Sequence, residues 1–374
     1  METAASGAEA GRLTVPAGCM RTAGCHAPTA GHDLRIVAAS GSMRPKAGRP
    51  PVPGTRSEGP HMSWTADDIP DLHGRTYVVT GASSGLGEAM TVALTTRGAH
   101  VVLATRSVGK TVEVMDRIHQ RAPAASMEHL SLDLADLASV ADAAAALLHR
   151  HEKLDGIVAN AGIMAPPLTR TVDGFELQFG VNHLAHAAFV AQALPAVLAA
   201  DGRVVVVSSG AHRVGRIDLA DLNWEHTRYQ RWPAYGRSKL ANLLYTAELQ
   251  RRLALTDSDA IAVAAHPGYA RTALQTTGPT MGGGLTGLVT GLVSSVSNQL
   301  VAQPASQGVL PQLYATVAPE VPGGSYWGPD GPGEMRGLPA PAGRSRDAMD
   351  AGLAAALWTA TEQLTGVSHD LPTP

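Results

Sequence analysis

Cysteines, aromatic residues and charges are all scarce in this chain of 374 residues. Its two cysteines, Cys19 and Cys25, match no zinc-motif spacing, and the chain beyond them has no thiol for a disulfide or a cysteine nucleophile. It has no run of about 18 strongly apolar residues, so we expect no transmembrane segment. The formal net charge of −3 favours neither nucleic acid nor an anionic membrane as a partner. Together these absences predict a soluble, cytoplasmic protein.

Residues 1–61 differ in composition from the rest of the chain. They are rich in Gly, Ala, Pro, Ser and Arg and show no hydrophobic period, so they cannot bury enough apolar surface to offset their chain entropy. We expect a disordered or non-native leader over 1–61 and a folded domain over 62–374. Met62 follows Gly59-Pro60-His61, which resembles a cloning remnant, and we interpret Met62 as the true start or a junction. An intact mass beginning at Met1 in the natively expressed protein would contradict this.

Short apolar segments alternate with amphipathic ones from about residue 75 onward. The predicted strands are Thr76–Thr80, His100–Thr105, His129–Leu132, Leu154–Asn160, Arg203–Ser208, Ala260–His266 and Gly324–Trp327. The predicted helices are a first one ending at Arg97, then Val108–Arg121, Leu137–His151, Glu176–Ala200, Pro233–Leu253 and Asp347–Leu364. Continuous apolar strands separated by helices are typical of a parallel sheet covered on both faces. The pattern therefore predicts the α/β class: a single doubly wound Rossmann-type domain with a parallel sheet of about seven strands.

A glycine-rich turn follows the first predicted strand. It runs from Thr80 to Gly87, with glycines at 81, 85 and 87 and the residues Ser83, Ser84 and Leu86 between them. Glycines allow a sharp turn, and the backbone N–H groups that open the next helix can then face a pyrophosphate. The placement between strand and helix favours a dinucleotide site over an ordinary tight turn.

The end of the second strand indicates which dinucleotide is used. An acidic residue there would hold the ribose hydroxyl of NAD, whereas a basic one accommodates the 2′-phosphate of NADP. The chain has Ala104-Thr105-Arg106-Ser107 and no carboxylate. Arg106 can make a forked contact to a phosphate, although it could also be a solvated surface arginine. NADP(H) is favoured over NAD(H).

Two further strand ends carry candidate nucleotide contacts. Asp133-Leu134 follows the third strand, where an acid can meet the adenine amino group, and Asn160-Ala161-Gly162 follows the fourth, where a turn of small residues must pass close under the cofactor. Asp and Asn are also ordinary turn formers. Ligands of open parallel sheets bind at the carboxyl ends of the strands, where all of these residues are predicted to lie.

The candidate catalytic residues come later in the chain. Ser208 and Ser209 follow the fifth strand, and the next helix carries Tyr235 and Lys239, whose spacing of four places both on one helical face. A free tyrosine has a pKa of about 10, too high for a general base at neutral pH, and a nearby ammonium would lower it. The serine hydroxyl could hold the substrate oxygen. The alternative is an exposed i,i+4 pair without chemistry.

Taken together, these motifs resemble the short-chain dehydrogenase/reductase family from about Leu72 to Val367. Within it they resemble the retinol-dehydrogenase-like branch, which is also similar to WW-domain oxidoreductases and protochlorophyllide reductases. The Ser-Lys-Leu-Ala-Asn stretch at 238–242 is the most branch-specific part. The family's glycine motif and Asn-Ala-Gly turn fall on the glycines at 81, 85 and 87 and on 160–162. Its catalytic Asn, Ser, Tyr and Lys fall on Asn182, Ser209, Tyr235 and Lys239, and its Pro-Gly and following Thr fall on Pro267, Gly268 and Thr272.

The resemblance implies a role for each catalytic residue. Tyr235 would protonate the carbonyl oxygen and Ser209 would donate a hydrogen bond to it, while Lys239 would hold the nicotinamide ribose and keep the tyrosine pKa low. Asn182 would position a water between Lys239 and solvent. The implied function is hydride transfer between NADP(H) and an alcohol/carbonyl pair. The alternatives are an NADP(H)-binding sensor or scaffold without turnover and a carbon–carbon double-bond reductase. Homo-oligomers are usual in the family.

The segment 272–319 has no Asp, Glu, Lys or Arg. In the resembling family this region forms a lid over the substrate, so an uncharged lid predicts an apolar substrate. The alternatives are a helix that is buried or faces another subunit, and a segment resting on a membrane, for which the basic face is missing. His212 and His266 near strand ends are interpreted as packing or turn residues, and no residue spacing predicts a metal site.

Overall fold

The computed structural model describes residues 63–269 and 303–374. Within them the strands form one sheet of eight, in the order β3-β2-β1-β4-β5-β6-β7-β8. The strands are β1 Thr76–Thr80, β2 His100–Thr105, β3 Ser126–Ser131, β4 Gly156–Ala159, β5 Arg203–Val207, β6 Ile261–Ala265, β7 Tyr326–Pro329 and β8 Pro339–Pro341. The first seven are parallel and β8 is antiparallel to β7. The predicted doubly wound fold is confirmed, with one strand more than expected.

Helices cover both faces of the sheet. They are α1 Gly85–Thr96, α2 Val108–Arg121, α3 Leu137–Arg150, α4 Ala185–Leu198, α5 Arg231–Leu253, α6 Leu310–Val317 and α7 Ala351–Thr365. Neighbouring strand residues point to opposite faces, so Val78 packs with α3 and α4 while Val79 packs with α1 and α6. Both valines are fully buried, which explains the absence of polar alternation in the strands.

The helix predicted over 176–200 is interrupted. A short turn at Leu177–Phe179 is followed by a π-helical turn at Gly180–Leu184, and α4 begins after it. The 22-residue run Leu177–Leu198 is long and apolar enough to cross a membrane by length and composition, but 83% of its most apolar window is buried inside the fold. Its apolar character is explained by its position between α3, α5 and the sheet.

Only the end of the uncharged segment is described. From Gln303 it leads into α6, whose Leu310, Leu313 and Tyr314 are buried against the sheet. Gln303 donates its backbone N–H to the carbonyl of Tyr269, so the described residues on either side of 270–302 lie next to each other. Residues 272–302, with the predicted site residue Thr272, and the predicted leader 1–61 lie outside the described residues.

Candidate active site

The glycine-rich turn lies at the carboxyl end of β1 and fits closely against the turn after β4. Gly81 and Gly85 have φ angles of 68° and 58°, which side chains rarely adopt. A Cβ atom on Gly81 would lie 2.9 Å from the Cα of Ala161, and one on Gly87 would lie 2.8 Å from the Cα of Ala82. Glycine is therefore required by close backbone approach as well as by the turn itself.

The same turn leaves the start of α1 open to a ligand. Ser84 is the N-cap residue, and its side chain makes no capping hydrogen bond. The N–H groups of a first helical turn have no intrahelical acceptor, and the helix dipole makes that end positive. An oxyanion such as a pyrophosphate is the natural partner for this arrangement. Ser83, Gly85 and Leu86 flank the opening, and all are partly exposed.

Hydrogen bonds join the ends of β1 and β4 beneath that turn. The Thr80 hydroxyl oxygen accepts from the backbone N–H groups of Asn160 and Ala161, both at 2.9 Å. The Asn160 amide donates to the Thr80 carbonyl at 2.9 Å. His186 reaches the Thr80 hydroxyl from α4 at 2.9 Å. The sequence indicated neither role, because Thr80 was recognised only as the first residue of the glycine-rich turn and His186 belongs to no motif.

Arg106 and Asp133 occupy neighbouring strand ends, after β2 and β3. The Arg106 side chain is 76% exposed, and its Nη1 lies 3.9 Å from a carboxylate oxygen of Asp133. The other Asp133 oxygen accepts the Ala135 N–H at 2.9 Å, which fixes the carboxylate in its turn. Leu134 is buried in the core cluster that includes α3 residues. Arg106 therefore has a loose ionic partner and is free to turn toward a phosphate.

Ser209, Tyr235 and Lys239 meet at the carboxyl end of β5. Ser209 lies two residues after the end of β5. Tyr235 lies in an early turn of α5 with Lys239 one turn later, and Lys239 Nζ is 5.8 Å from the centre of the tyrosine ring. Lys239 Nζ donates to the carbonyl of Val207 at 3.0 Å. The Asn242 amide donates to the same carbonyl, so the helix is attached to the strand end.

Burial shifts both ionisable groups of this pair. It raises the pKa of the Tyr235 phenol to about 12, and hydrogen bonding with Ser209 acts in the opposite direction. It lowers the pKa of the Lys239 ammonium to about 8, because a buried charge loses hydration. Without nucleotide the phenol is therefore protonated at neutral pH, which is the form that can donate a proton.

Two glycines allow Ser209 to approach Tyr235. Ser209 caps a 3-10 turn, Gly210–Val214, which packs against the start of α5. A Cβ atom on Gly236 would lie 2.7 Å from the carbonyl oxygen of Ala211, and one on Gly215 would overlap the Gly236 carbonyl and lie 2.8 Å from the Arg237 nitrogen. The glycine that follows the tyrosine is thus a packing requirement of the site, which the sequence motif did not reveal.

Asn182 lies in the π-helical turn and reaches the same centre. Its side-chain oxygen Oδ1 accepts the Ile163 N–H at 2.8 Å, and its side-chain Nδ2 donates to the Ile163 carbonyl and the Ser238 hydroxyl, both at 3.0 Å. A Cβ atom on Gly162 would lie 3.2 Å from the Asn182 side-chain oxygen and 3.6 Å from Lys239 Nζ. Single π turns often occur at functional sites, and this one places the buried Asn182 side chain between Ile163 and Ser238.

Comparison with known families decides the class of protein. The sequence model of the family described as short chain dehydrogenase matches residues 75–281, more than half of the chain. The chain belongs to the short-chain dehydrogenase/reductase family. It is thus an NAD(P)-dependent oxidoreductase that transfers a hydride, as the resemblance implied.

Individual relatives of this dehydrogenase support the narrower branch. Retinol dehydrogenase 13 of Homo sapiens is 36% identical over 308 residues, which cover 79% of this chain and 86% of that protein. Retinol dehydrogenase 14 of Mus musculus is 36% identical over 311 residues, covering 79% and 87%. The solved structure of an uncharacterized protein from Mycobacterium paratuberculosis has a TM-score of 0.67 and 42% identity, covering 82% of this chain and 99% of that one. The retinol-dehydrogenase-like assignment is confirmed.

The histidines of this dehydrogenase take supporting positions around the site. His212 Nδ1 donates to the Ser209 carbonyl at 2.7 Å, and its Nε2 accepts the Ser345 N–H at 3.1 Å, so the neutral ring holds the serine backbone in place. Burial lowers the pKa of His212, which agrees with that neutral form. His266 is buried, and its Nδ1 accepts the Gly268 N–H at 3.2 Å.

The Pro267–Gly268 turn closes the nucleotide edge after β6. Gly268 has a φ of 66°, and a Cβ atom there would overlap the Met335 carbonyl. The Pro267 carbonyl accepts a hydrogen bond from the Gln303 side chain at 2.9 Å. The described residues thus fit an NAD(P) nucleotide, which would lie across the carboxyl ends of the strands from Arg106 to this turn.

Proposed function

We propose that this chain transfers a hydride between NADP(H) and an apolar alcohol/carbonyl pair, with Tyr235 as the acid/base. The observation that carries the proposal is that the buried Tyr235 and Lys239 meet the half-buried Ser209 in a fold that also has a glycine cradle suited to a pyrophosphate. A protein that only binds nucleotide would have no need of a buried phenol and ammonium, whose desolvation is costly.

In the reductive direction each side chain has one task. The nucleotide, when bound, supplies the hydride. The Tyr235 hydroxyl gives its proton to the substrate oxygen as negative charge develops there, and the Ser209 hydroxyl donates a hydrogen bond to the same oxygen. Lys239 holds the ribose and stabilises the phenolate that remains. Asn182 orders a water between Lys239 and solvent.

The acid/base role is tested with Tyr235→Phe, which removes one oxygen atom. We expect turnover to fall by roughly 10²–10⁴-fold while nucleotide affinity stays unchanged, because the phenol acts only when a proton moves. Tyr229→Phe is the control with the same change, since the half-buried Tyr229 hydrogen-bonds Gln178 and Glu176 instead of facing the lysine. Full activity of Tyr235→Phe would contradict the assignment. A wild-type chain that binds NADPH but reduces no carbonyl would favour a sensor or scaffold. Reduction of an isolated carbon–carbon double bond would favour a double-bond reductase.

The preference for NADP(H) is supported by the exposed guanidinium of Arg106 and by the absence of a carboxylate at the end of β2. It is tested by fluorescence titration with NADPH and NADH. We expect Arg106→Glu to abolish or reverse the preference, because the phosphate would then face a negative charge. Arg121→Glu, at the far end of α2, makes the same charge change and should leave the ratio of affinities as in the wild type. An unaltered ratio in Arg106→Glu would refute this part of the proposal.

An apolar substrate is supported by the uncharged segment 272–319 and by Trp232. The Trp232 side chain is 55% exposed, and its ring lies edge-on to that of Tyr235 with 6.3 Å between centroids. Such an aromatic surface beside the reacting group suits an apolar chain. We expect Leu285→Asp with Leu288→Asp to reduce turnover across a panel of long-chain aldehydes, whereas Leu255→Asp on a distant exposed loop should not. Unchanged turnover by the double variant would count against an apolar lid over 272–319.

A further inference from the structure

Two histidines and a glutamate converge near the amino-terminal ends of β2 and β3, whereas the candidate active site lies at the carboxyl ends of the strands. His100 begins β2, Glu128 lies in β3, and His151 follows the last residue of α3. Each offers one ligand atom, and these atoms all lie within 4.8 Å of one another. No sequence motif pointed to this cluster, because its members come from three separate elements.

The fold explains why these side chains meet. Residues 100, 102 and 104 of β2 and residues 128 and 130 of β3 point to the face that α3 covers, since side chains alternate along a strand. The inner members of this row are apolar and pack against α3. At its outer end His100 and Glu128 reach the point where α3 terminates, and His151 meets them there.

The contacts within the cluster suit metal coordination. His151 Nε2 lies 2.7 Å from Glu128 Oε1, and the His100 and His151 rings have centroids 5.5 Å apart. His100 Nδ1 is 2.8 Å from the Ser126 hydroxyl, a partner of the kind that fixes the ring of a metal-bound histidine. All three residues are partly buried, so a dissolved ion can reach them.

We propose that His100, Glu128 and His151 bind a zinc-type divalent cation at the amino-terminal edge of the sheet. Two imidazoles and a carboxylate with a fourth, open position are an established ligand set for Zn²⁺. Metal–ligand bonds of about 2.0–2.1 Å place tetrahedral ligand atoms roughly 3.3 Å apart, so side-chain shifts of about 1 Å complete the site.

Arg150 is the natural competitor of the metal. Its Nη1 lies 3.5 Å from the second oxygen of Glu128 and donates to the His129 carbonyl at 3.3 Å. When the ion binds, Arg150 must either move away from Glu128 or share its carboxylate with the ion. The six residues of β2 span about 20 Å, which separates this cluster from Arg106 and the nucleotide edge. The proposal is thus independent of the proposed function, and catalytic activity is not its readout.

The test measures Zn²⁺ affinity of the full-length protein by competition with a chromogenic chelator. The background carries Cys19→Ser and Cys25→Ser, so that leader thiols do not bind the ion. We expect His100→Gln, Glu128→Gln and His151→Gln each to weaken binding by at least about tenfold. His149→Gln removes an exposed histidine two positions from His151 and should bind as the parent does. Arg150→Gln should tighten binding, because the competing cation is gone.

Co²⁺ substitution reports the geometry of the metal site, and circular dichroism reports whether the variants are folded. A bound cobalt ion should show the visible absorption of a tetrahedral nitrogen/oxygen site in the parent and lose it in the His151→Gln variant. Circular dichroism without metal should show that the variants are folded. If the three ligand variants are folded and bind Zn²⁺ as tightly as the parent, the proposal is overturned and the cluster is only a network of ion pairs. The same conclusion follows if the parent itself binds no Zn²⁺.

Discussion

The contact between Gly215 and α5 gives a sharp prediction about how Ser209 is positioned. Gly215 has φ −72° and ψ 149°, an extended conformation that alanine adopts without strain. The substitution Gly215→Ala therefore has one consequence, which is the new methyl group. That methyl would overlap the carbonyl oxygen of Gly236 and lie 2.8 Å from the nitrogen of Arg237. Both are backbone atoms of a helix and cannot rotate away.

The size of the effect follows from the overlap. Ordinary contact with a carbon atom begins near about 3.5 Å, so the turn Gly210–Val214 must move away from α5 by a distance on the order of 1 Å. Overpacking of this kind costs about 1–3 kcal/mol of unfolding free energy. A displacement of about 1 Å in a catalytic group costs about 10²-fold in rate. Ser209, which caps the turn, should move with it, while the nucleotide cradle after β1 is untouched.

The assay compares three quantities in wild type, Gly215→Ala and Gly109→Ala. We expect Gly215→Ala to lose about 10²-fold in kcat with long-chain aldehydes, to unfold at lower denaturant concentration, and to bind NADPH as before. Gly109 is an exposed residue of α2 with no atom within 4 Å of an added Cβ, so Gly109→Ala should keep full activity and gain up to about 1 kcal/mol of unfolding free energy. If kcat of Gly215→Ala stayed within twofold of wild type, the close approach would not be what places Ser209.

Three further predictions concern buried charge and the substrate. Burial lowers the pKa of His183 to about 3 and that of His186 to about 4, so the unfolded chain binds more protons than the folded one below pH 6.5. The unfolding free energy should therefore fall as the pH is lowered from about 6.5 to 4, by up to 1.4 kcal/mol per residue and pH unit. Denaturant titrations that show no decline would contradict this. Burial lowers the pKa of Lys239 to about 8, so between about pH 8 and 10.5 this lysine is protonated in the unfolded chain but not in the folded one, and the unfolding free energy should rise with pH there. Lys239→Met should abolish that rise and should increase the stability of the nucleotide-free protein at pH 7. A rise that persists in the variant would implicate other groups. Trp232→Ala should raise KM for long-chain aldehydes without changing NADPH affinity, and an unchanged KM would remove Trp232 from the substrate surface.

Local patterns were sufficient to predict most strands and helices and the residues at their ends. The strand before Gly81 and the i,i+4 pair of Tyr235 and Lys239 can be recognised within short windows, because periodicity and turn chemistry are local properties. The eighth strand was missed since Pro339-Ala340-Pro341 has no strand signal, and it is tolerated as an antiparallel edge. The π turn at Gly180–Leu184 was missed as well, because its apolar run continues the helical pattern without a break.

What could not be predicted depends on contacts between distant segments. The roles of Gly215 and Gly236 exist only because a turn and a helix touch through backbone atoms, and a glycine in sequence does not say which of its neighbours is close. His212 joins the Ser209 carbonyl to the Ser345 N–H, and these two residues are more than 130 positions apart in the sequence. Such residues hold the reacting groups, and the constraint on them comes from the whole fold.

The attachment of α5 to the sheet explains how one scaffold can combine fixed chemistry with a variable substrate. Lys239 Nζ and the Asn242 amide both donate to the Val207 carbonyl, and the Ser208 hydroxyl donates back to the Lys239 carbonyl. Three hydrogen bonds to main-chain atoms hold the helix at the strand end whatever side chains surround it. Groups supported in this way keep the sub-ångström positions that proton transfer needs. Under the proposed function, selection among carbonyl compounds falls to residues outside this attachment, such as Trp232. We therefore expect substitutions of Trp232 to change KM values and to leave the proton donor the same.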